Sequence, residues 1–200
     1  MESYAAGETT PDLLEETIGA NFERTVAEHG GKEALVEFAT GRRWTYDELN
    51  RDVDELARGL LGAGLDKGER IGVWAPNCAE WTIAQYATAK IGAILVNVNP
   101  SYRTHELSYA VNQSGMRMLI SAVEFKTSRY REMVEETAEK NPGLERVVYI
   151  GTDDWAGLLA EGRDLPDDAI RARMTRLEPG DAINIQYTSG TTGFPKGATL

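Results

Sequence analysis

Two hundred residues, 42% of them hydrophobic, are enough to bury one substantial core. A net charge of −11 implies a solvated acidic surface; it excludes nucleic-acid binding through basic patches and repels polyanions at long range. The lone cysteine, Cys78, excludes an intrachain disulfide, and neither the opening MESYAAGETTPDLLEET nor the longest apolar run, Ala93 to Val96, has the length of a signal peptide or a membrane span, so the expectation is a cytoplasmic protein without a transmembrane segment.

In chain order, residues 1–11 read as a flexible start, followed by a helix over Asp12–His29 that stops at Gly30-Gly31. Ala34–Ala39 reads as a strand. Thr45 and Glu48 have capping-box spacing, and Leu49, Val53, Leu56 and Leu60 share one face of the helix that follows, which should stop at Gly62 or Gly64. Ile71–Ala75 is a buried strand. Asn77 with Glu80 offers a second capping box for a helix reaching Ile91, apolar nearly all round and hence central.

A strand over Ala93–Val98 is closed by Asn99-Pro100, and Thr104 can cap a helix to Gln113. Met118–Ser121 is a short strand. Glu124–Lys140 is an amphipathic helix with Tyr130, Met133, Val134 and Thr137 inward and Glu132, Glu135, Glu136 and Glu139 on the wet side. Val147–Ile150 is the next strand. Residues 152–180 read as a short helix and a connection, and as the boundary between a unit over 12–180 and a second beginning at 181. Alternating helices and strands predict the α/β class, with helices covering a predominantly parallel sheet.

After the alternating run Ile183, Ile185, Tyr187 comes the stretch Tyr187–Gly197, YTSGTTGFPKG. It packs three glycines, four Ser and Thr hydroxyls, one proline and one lysine into eleven residues. Ordering so much glycine costs entropy, and a bound polyanion would compensate: freed N–H groups, hydroxyls and an ammonium all favour phosphate. From Ala182 to Leu200 there is no acidic residue and Lys196 is the only charge, so the attraction is local despite the acidic chain. The spacing excludes a Walker-type loop, which needs Gly-Lys followed by Ser or Thr; here Pro195 precedes Lys196 and Gly197 follows it. Beyond the carboxyl end of a strand is also where open α/β sheets bind ligands.

YTSGTTGFPKG resembles the signature phosphate loop of the adenylate-forming, AMP-binding superfamily. WTYDEL at 44–49, GERIGVWAPNCAEW at 68–81 and KIGAILVNVNPSYRTHELSYAVNQSG at 90–115 resemble that family's upstream segments in the same order, most closely those of fatty acyl-CoA synthetases. The resemblance implies the N-terminal part of the large domain of a longer enzyme, with 181–200 opening a further subdomain. It also implies ATP-dependent activation of a medium- or long-chain fatty acid to an acyl adenylate, then to a thioester with coenzyme A. Thr188, Ser189, Thr191 and Thr192 would be hydroxyl contacts, Gly190 and Gly193 backbone approaches, and Lys196 the catalytic cation on the β and γ phosphates, with Mg²⁺ sharing the charge. The family's adenine loop, magnesium-binding glutamate, ribose-binding aspartate and terminal lysine all follow this loop, so 200 residues alone are expected to be inactive. Alternatives are a non-catalytic remnant and an aryl or amino-acid adenylating relative. His29 and His105 have no metal-ligand spacing, Cys78 reads as a small hydrophobe, Trp44, Trp74 and Trp81 as core, and Asn99, Pro100, Tyr102 and Arg103 as a turn.

Overall fold

The structure is a computed structural model and describes residues 7, 10, 12, 14–188 and 195–200. All but Gly7 and Thr10 of the expected flexible start lie outside the described residues. α1 (Ile18–His29) begins later than the apolar pattern suggests, because Thr17 is extended and its hydroxyl accepts the Ala20 N–H at 3.2 Å. A two-stranded antiparallel hairpin, β1 (Glu33–Val36) and β2 (Arg43–Thr45), leads into α2 (Tyr46–Gly62). Thr45 and Glu48 form the expected capping box.

Six strands form the main sheet in the order β6-β5-β3-β4-β7-β8. β3 (Arg70–Trp74), β4 (Ile94–Asn97), β5 (Met118–Ser121), β6 (Arg146–Tyr149) and β7 (Asn184–Thr188) run parallel, and β8 (Lys196–Thr199) is antiparallel to β7. α3 (Ala79–Ile91) links β3 to β4, and α4 (Thr104–Ser114) carries the chain from β4 back past β3 to β5. α5 (Tyr130–Lys140) precedes β6, while α6 (Asp153–Ala160) and α7 (Ala169–Met174) fill the connection to β7.

Side-chain alternation sorts the core into two halves. Ile71, Val73, Leu95, Ile120 and Val148 face α2 and α3, whereas Val96, Leu119 and Tyr149 face α4 and α5. α3 is central, as its composition predicts, and its Lys90 is fully buried. That ammonium is compensated by the carboxylates of Glu23 and Asp54 and by Asn50 Oδ1 at 2.7 Å. Gly59 brings α2 against α6: a Cβ there would lie 2.5 Å from the Leu158 carbonyl oxygen, and one at Gly62 2.2 Å from that of Glu161. α2 does end at Gly62, with Ala63 as its C-cap.

Four local expectations are corrected. The N-cap of α3 is Cys78, which makes no side-chain cap; Glu37 of the hairpin loop accepts the Ala79 N–H at 3.0 Å, and Glu80 pairs with Arg42 instead of closing a box with Asn77. Thr104 is the first helical residue of α4, and the Glu106 carboxylate accepts the N–H of Arg103, its N-cap, at 3.0 Å. α5 starts at Tyr130, not Glu124, because Lys126 has φ +55° and Phe125 bridges Ser128 in a tight turn. Residues 152–180 hold two short helices and return the chain to the same sheet, where β7 pairs with β4.

Candidate functional site

β7 and β8 leave the carboxyl edge of the parallel sheet as a hairpin with Thr188 opposite Lys196 and Tyr187 opposite Gly197. Ser189, Gly190, Thr191, Thr192 and Gly193, five of the seven residues singled out for phosphate contact, lie outside the described residues. The other two, Thr188 and Lys196, are brought together and both are exposed. The Thr188 hydroxyl donates to the Lys196 carbonyl at 3.4 Å, long enough to be weak and leave the hydroxyl free to turn toward a better acceptor. Gly197 lets β8 lie close to β7: a Cβ would lie 3.0 Å from Ile185 Cγ2, a tight contact, and 3.6 Å from the Tyr187 ring.

The two faces of β7 are chemically distinct. Ile185 and Tyr187 pack into the apolar half beside α4. Asn184, Gln186 and Thr188 alternate onto the other face. There Asn97 donates its amide to Asn184, and Asn184 to Gln85 of α3, each at 3.3 Å. Asn97 Oδ1 is buried and accepts no hydrogen bond among the described residues.

α4 grips the hairpin from the apolar side. The Tyr187 hydroxyl donates to the Ala110 carbonyl at 3.2 Å, and the Tyr109 hydroxyl donates to the Pro195 carbonyl at 3.1 Å. Gln113 Nε2 in turn donates to the Tyr109 oxygen at 2.7 Å. Burial pushes the Tyr187 phenol up to about 12, so it stays a neutral donor across the working pH range. Sequence reasoning missed Tyr109 and Gln113: their spacing marks one face of a helix, but nothing local says that β8 lies against it.

Neighbouring turns on the same edge are held rigidly. Trp74 is fully buried, stacks on Tyr130 with ring centroids 3.7 Å apart, and donates its indole N–H to the Asn99 carbonyl at 3.0 Å. Tyr130 donates to the Pro100 carbonyl, and the Asn99 side chain accepts the Ser101 N–H at 2.8 Å, so Asn99 to Arg103 forms the expected turn. Trp44 and Trp74 are core, and Trp81 packs partly buried against it. Cys78 is half-buried, and desolvation pushes its thiol up to about 11. Among the described residues no group of three or more His, Cys, Asp and Glu side chains is placed to hold a metal ion. None of their helices is long and apolar enough to cross a membrane.

This geometry is that of an open, mostly parallel α/β sheet, a class in which ligands generally bind beyond the carboxyl ends of the strands. A family model described as AMP-binding enzyme matches residues 22–200, and the chain belongs to that family. A mitochondrial medium-chain acyl-CoA ligase of Macaca fascicularis is 38% identical over 217 residues, an alignment that covers 99% of this chain and 35% of the relative. A putative acyl-CoA synthetase of Bacillus subtilis is 35% identical, covering 94% of this chain and 38% of that protein. Among solved structures, the N-terminal domain of FACL13 from Mycobacterium tuberculosis superposes with a TM-score of 0.76 at 23% identity, over 92% of this chain and 44% of that one. The fold is therefore that of the N-terminal domains of acyl-CoA synthetases. The chain spans a little over a third of the length of the curated relatives it matches.

Proposed function

We propose that this chain supplies the phosphate-binding part of an acid–thiol ligase that converts a medium- or long-chain fatty acid to its acyl adenylate and then to the coenzyme A thioester. The observation that carries the reading is the pairing of Lys196, the only charge between 182 and 200, with Thr188 on an exposed hairpin at the carboxyl edge of the sheet. The relatives named as acyl-CoA ligases and synthetases support the reaction class.

A carboxylate is a poor acyl donor because oxide would have to leave. Its oxygen attacks the α-phosphorus of ATP, the bond to the β-phosphate oxygen breaks, and pyrophosphate departs with the electron pair. The thiol sulfur of coenzyme A then attacks the mixed anhydride, AMP leaves, and the thiol proton passes to a base. In the first step negative charge gathers on the β and γ phosphates. The Lys196 ammonium and the hydroxyls of Thr188, Ser189, Thr191 and Thr192 would stabilise it there, while Gly190 and Gly193 let the backbone approach. Magnesium would travel on the triphosphate and share that charge; 182–200 offer it hydroxyls and no carboxylate. The single cysteine and acidic composition support a cytoplasmic location, testable by fractionation against the mitochondrial location in the relatives' names.

The test is ATP–pyrophosphate exchange across straight-chain acids from acetate to palmitate, with benzoate and amino acids beside them. It is run on the 200-residue chain and on a version extended to the relatives' full length. Exchange by the extended protein that peaks with medium or long fatty acids is expected. A peak with aryl or amino acids transfers the assignment to that branch, and no exchange with any acid supports a binding remnant.

A further inference from the structure

Pro195 and Lys196 share a peptide unit, so whatever orients the Pro195 carbonyl also orients the amide plane from which Lys196 departs. The proline ring already fixes φ, leaving ψ of Pro195 as the one soft torsion through which the chain enters Lys196. Tyr109 acts on that torsion: its hydroxyl donates to the Pro195 carbonyl at 3.1 Å. Gln113, one helical turn further along α4, donates to the phenol oxygen at 2.7 Å and leaves the phenol proton directed at the carbonyl. The opposite arm of the hairpin is tied to the same helix through Tyr187 and the Ala110 carbonyl. The strands around the site thus hang from consecutive residues of α4, and the Lys196 side chain itself stays exposed.

We propose that Tyr109 is a positioning residue for Lys196: its hydrogen bond to the Pro195 carbonyl, buttressed by Gln113, holds the backbone from which Lys196 departs, so that only the side chain has to be ordered when the ammonium meets phosphate oxygens. Preorganisation of this kind strengthens binding by removing the cost of immobilising the backbone on contact. The inference rests on the assignment of Lys196 to a phosphate ligand, and the two fail separately.

The experiment is equilibrium dialysis of the 200-residue chain against radiolabelled magnesium pyrophosphate, for the wild type, Lys196→Ala, Tyr109→Phe and the double variant. Tyr109→Phe keeps the ring and removes the hydroxyl, both the donor to Pro195 and the acceptor of the Gln113 amide, and it is expected to weaken binding about fivefold, on the order of one neutral hydrogen bond. In the Lys196→Ala background the same change is expected to do nothing further, since no ammonium remains to be placed. Equal losses in both backgrounds would mean that Tyr109 acts through the fold, and no loss in either would mean that it does not act; each overturns the inference. Failure of Lys196→Ala to weaken binding, or no binding by the wild type, removes the phosphate assignment instead. If the thermal midpoint of Tyr109→Phe drops, Gln113→Met takes its place: it spares the phenol, and a smaller loss that again needs Lys196 is expected.

Discussion

β3 and β7 lie two places apart in one sheet, on either side of β4, and different forces hold them. β3 is covered on both faces: Ile71, Val73 and Trp74 are fully buried, and its neighbours on either side are strands. β7 has one apolar face, one amide-bearing face and an exposed end at Thr188, and every residue of its outer neighbour β8 is exposed. Burial fixes β3 by a large non-directional term. The hairpin depends more on a few directional bonds from α4, which tie it to the helix while its end at Thr188 and all of β8 stay exposed. A segment that must present polar groups cannot also bury them.

The largest effect should come from the exposed side of that contrast. Lys196→Ala is expected to slow pyrophosphate exchange in the extended protein by about two to three orders of magnitude, the loss typical of a preorganised donor, yet to shift stability by no more than about 0.5 kcal/mol. Urea titration beside the exchange assay checks both halves, and a large stability loss would erase the distinction between the two regions. On the buried side, Trp74→Ala should cost about 3–5 kcal/mol in urea titration, because it opens a cavity and leaves Tyr130 without its stacking partner.

Gly59→Ala should cost about 1–3 kcal/mol, since the added methyl meets the backbone of α6 and no side chain can turn away to admit it. A neutral result in thermal melting would show that α6 can slide. A smaller effect is expected at Glu37, whose carboxyl is held down to about 2 from the usual 4.5, first by the Arg42 guanidinium, then by the Thr40 hydroxyl, with help from the Ala79 N–H. A carboxylate with a depressed folded-state pKa contributes stability that is fully present above its unfolded value and is lost as pH falls through its folded one. Wild-type stability should therefore decline between about pH 4.5 and 2. Glu37→Gln should be less stable at pH 7, by about 1–2 kcal/mol, and flatter across that window. The smallest effect is at Cys78: with its thiol near 11, labelling by a maleimide at pH 7 should be far slower than for a free cysteine peptide.

Much of this architecture is legible in the sequence. The parallel α/β class, the Thr45–Glu48 box and the strand Met118–Ser121 follow from spacings within a few residues, where the physics is local. The inward set of α5 was legible in the same way: Tyr130, Val134 and Thr137 are buried, and the glutamates are exposed. The errors fell where a distant residue intervened. Asn77 and Glu80 have the spacing of a cap, but Arg42 occupies Glu80 and Glu37 supplies the cap from 42 residues away.

What the chain alone determined is which groups stand together: a run rich in glycine and hydroxyls with one lysine and no acid, placed just after an alternating strand, is the basis of the proposed phosphate site, because composition and spacing are local properties. What only the folded molecule decided is which distant residues meet one another, the described ends of that run included. Tyr109, backed by Gln113, reaches Pro195 just before β8, Gly59 admits α6, and Lys90 finds Glu23, Asn50 and Asp54, because packing joins segments that are far apart in sequence, and no local pattern encodes a neighbour that arrives from elsewhere.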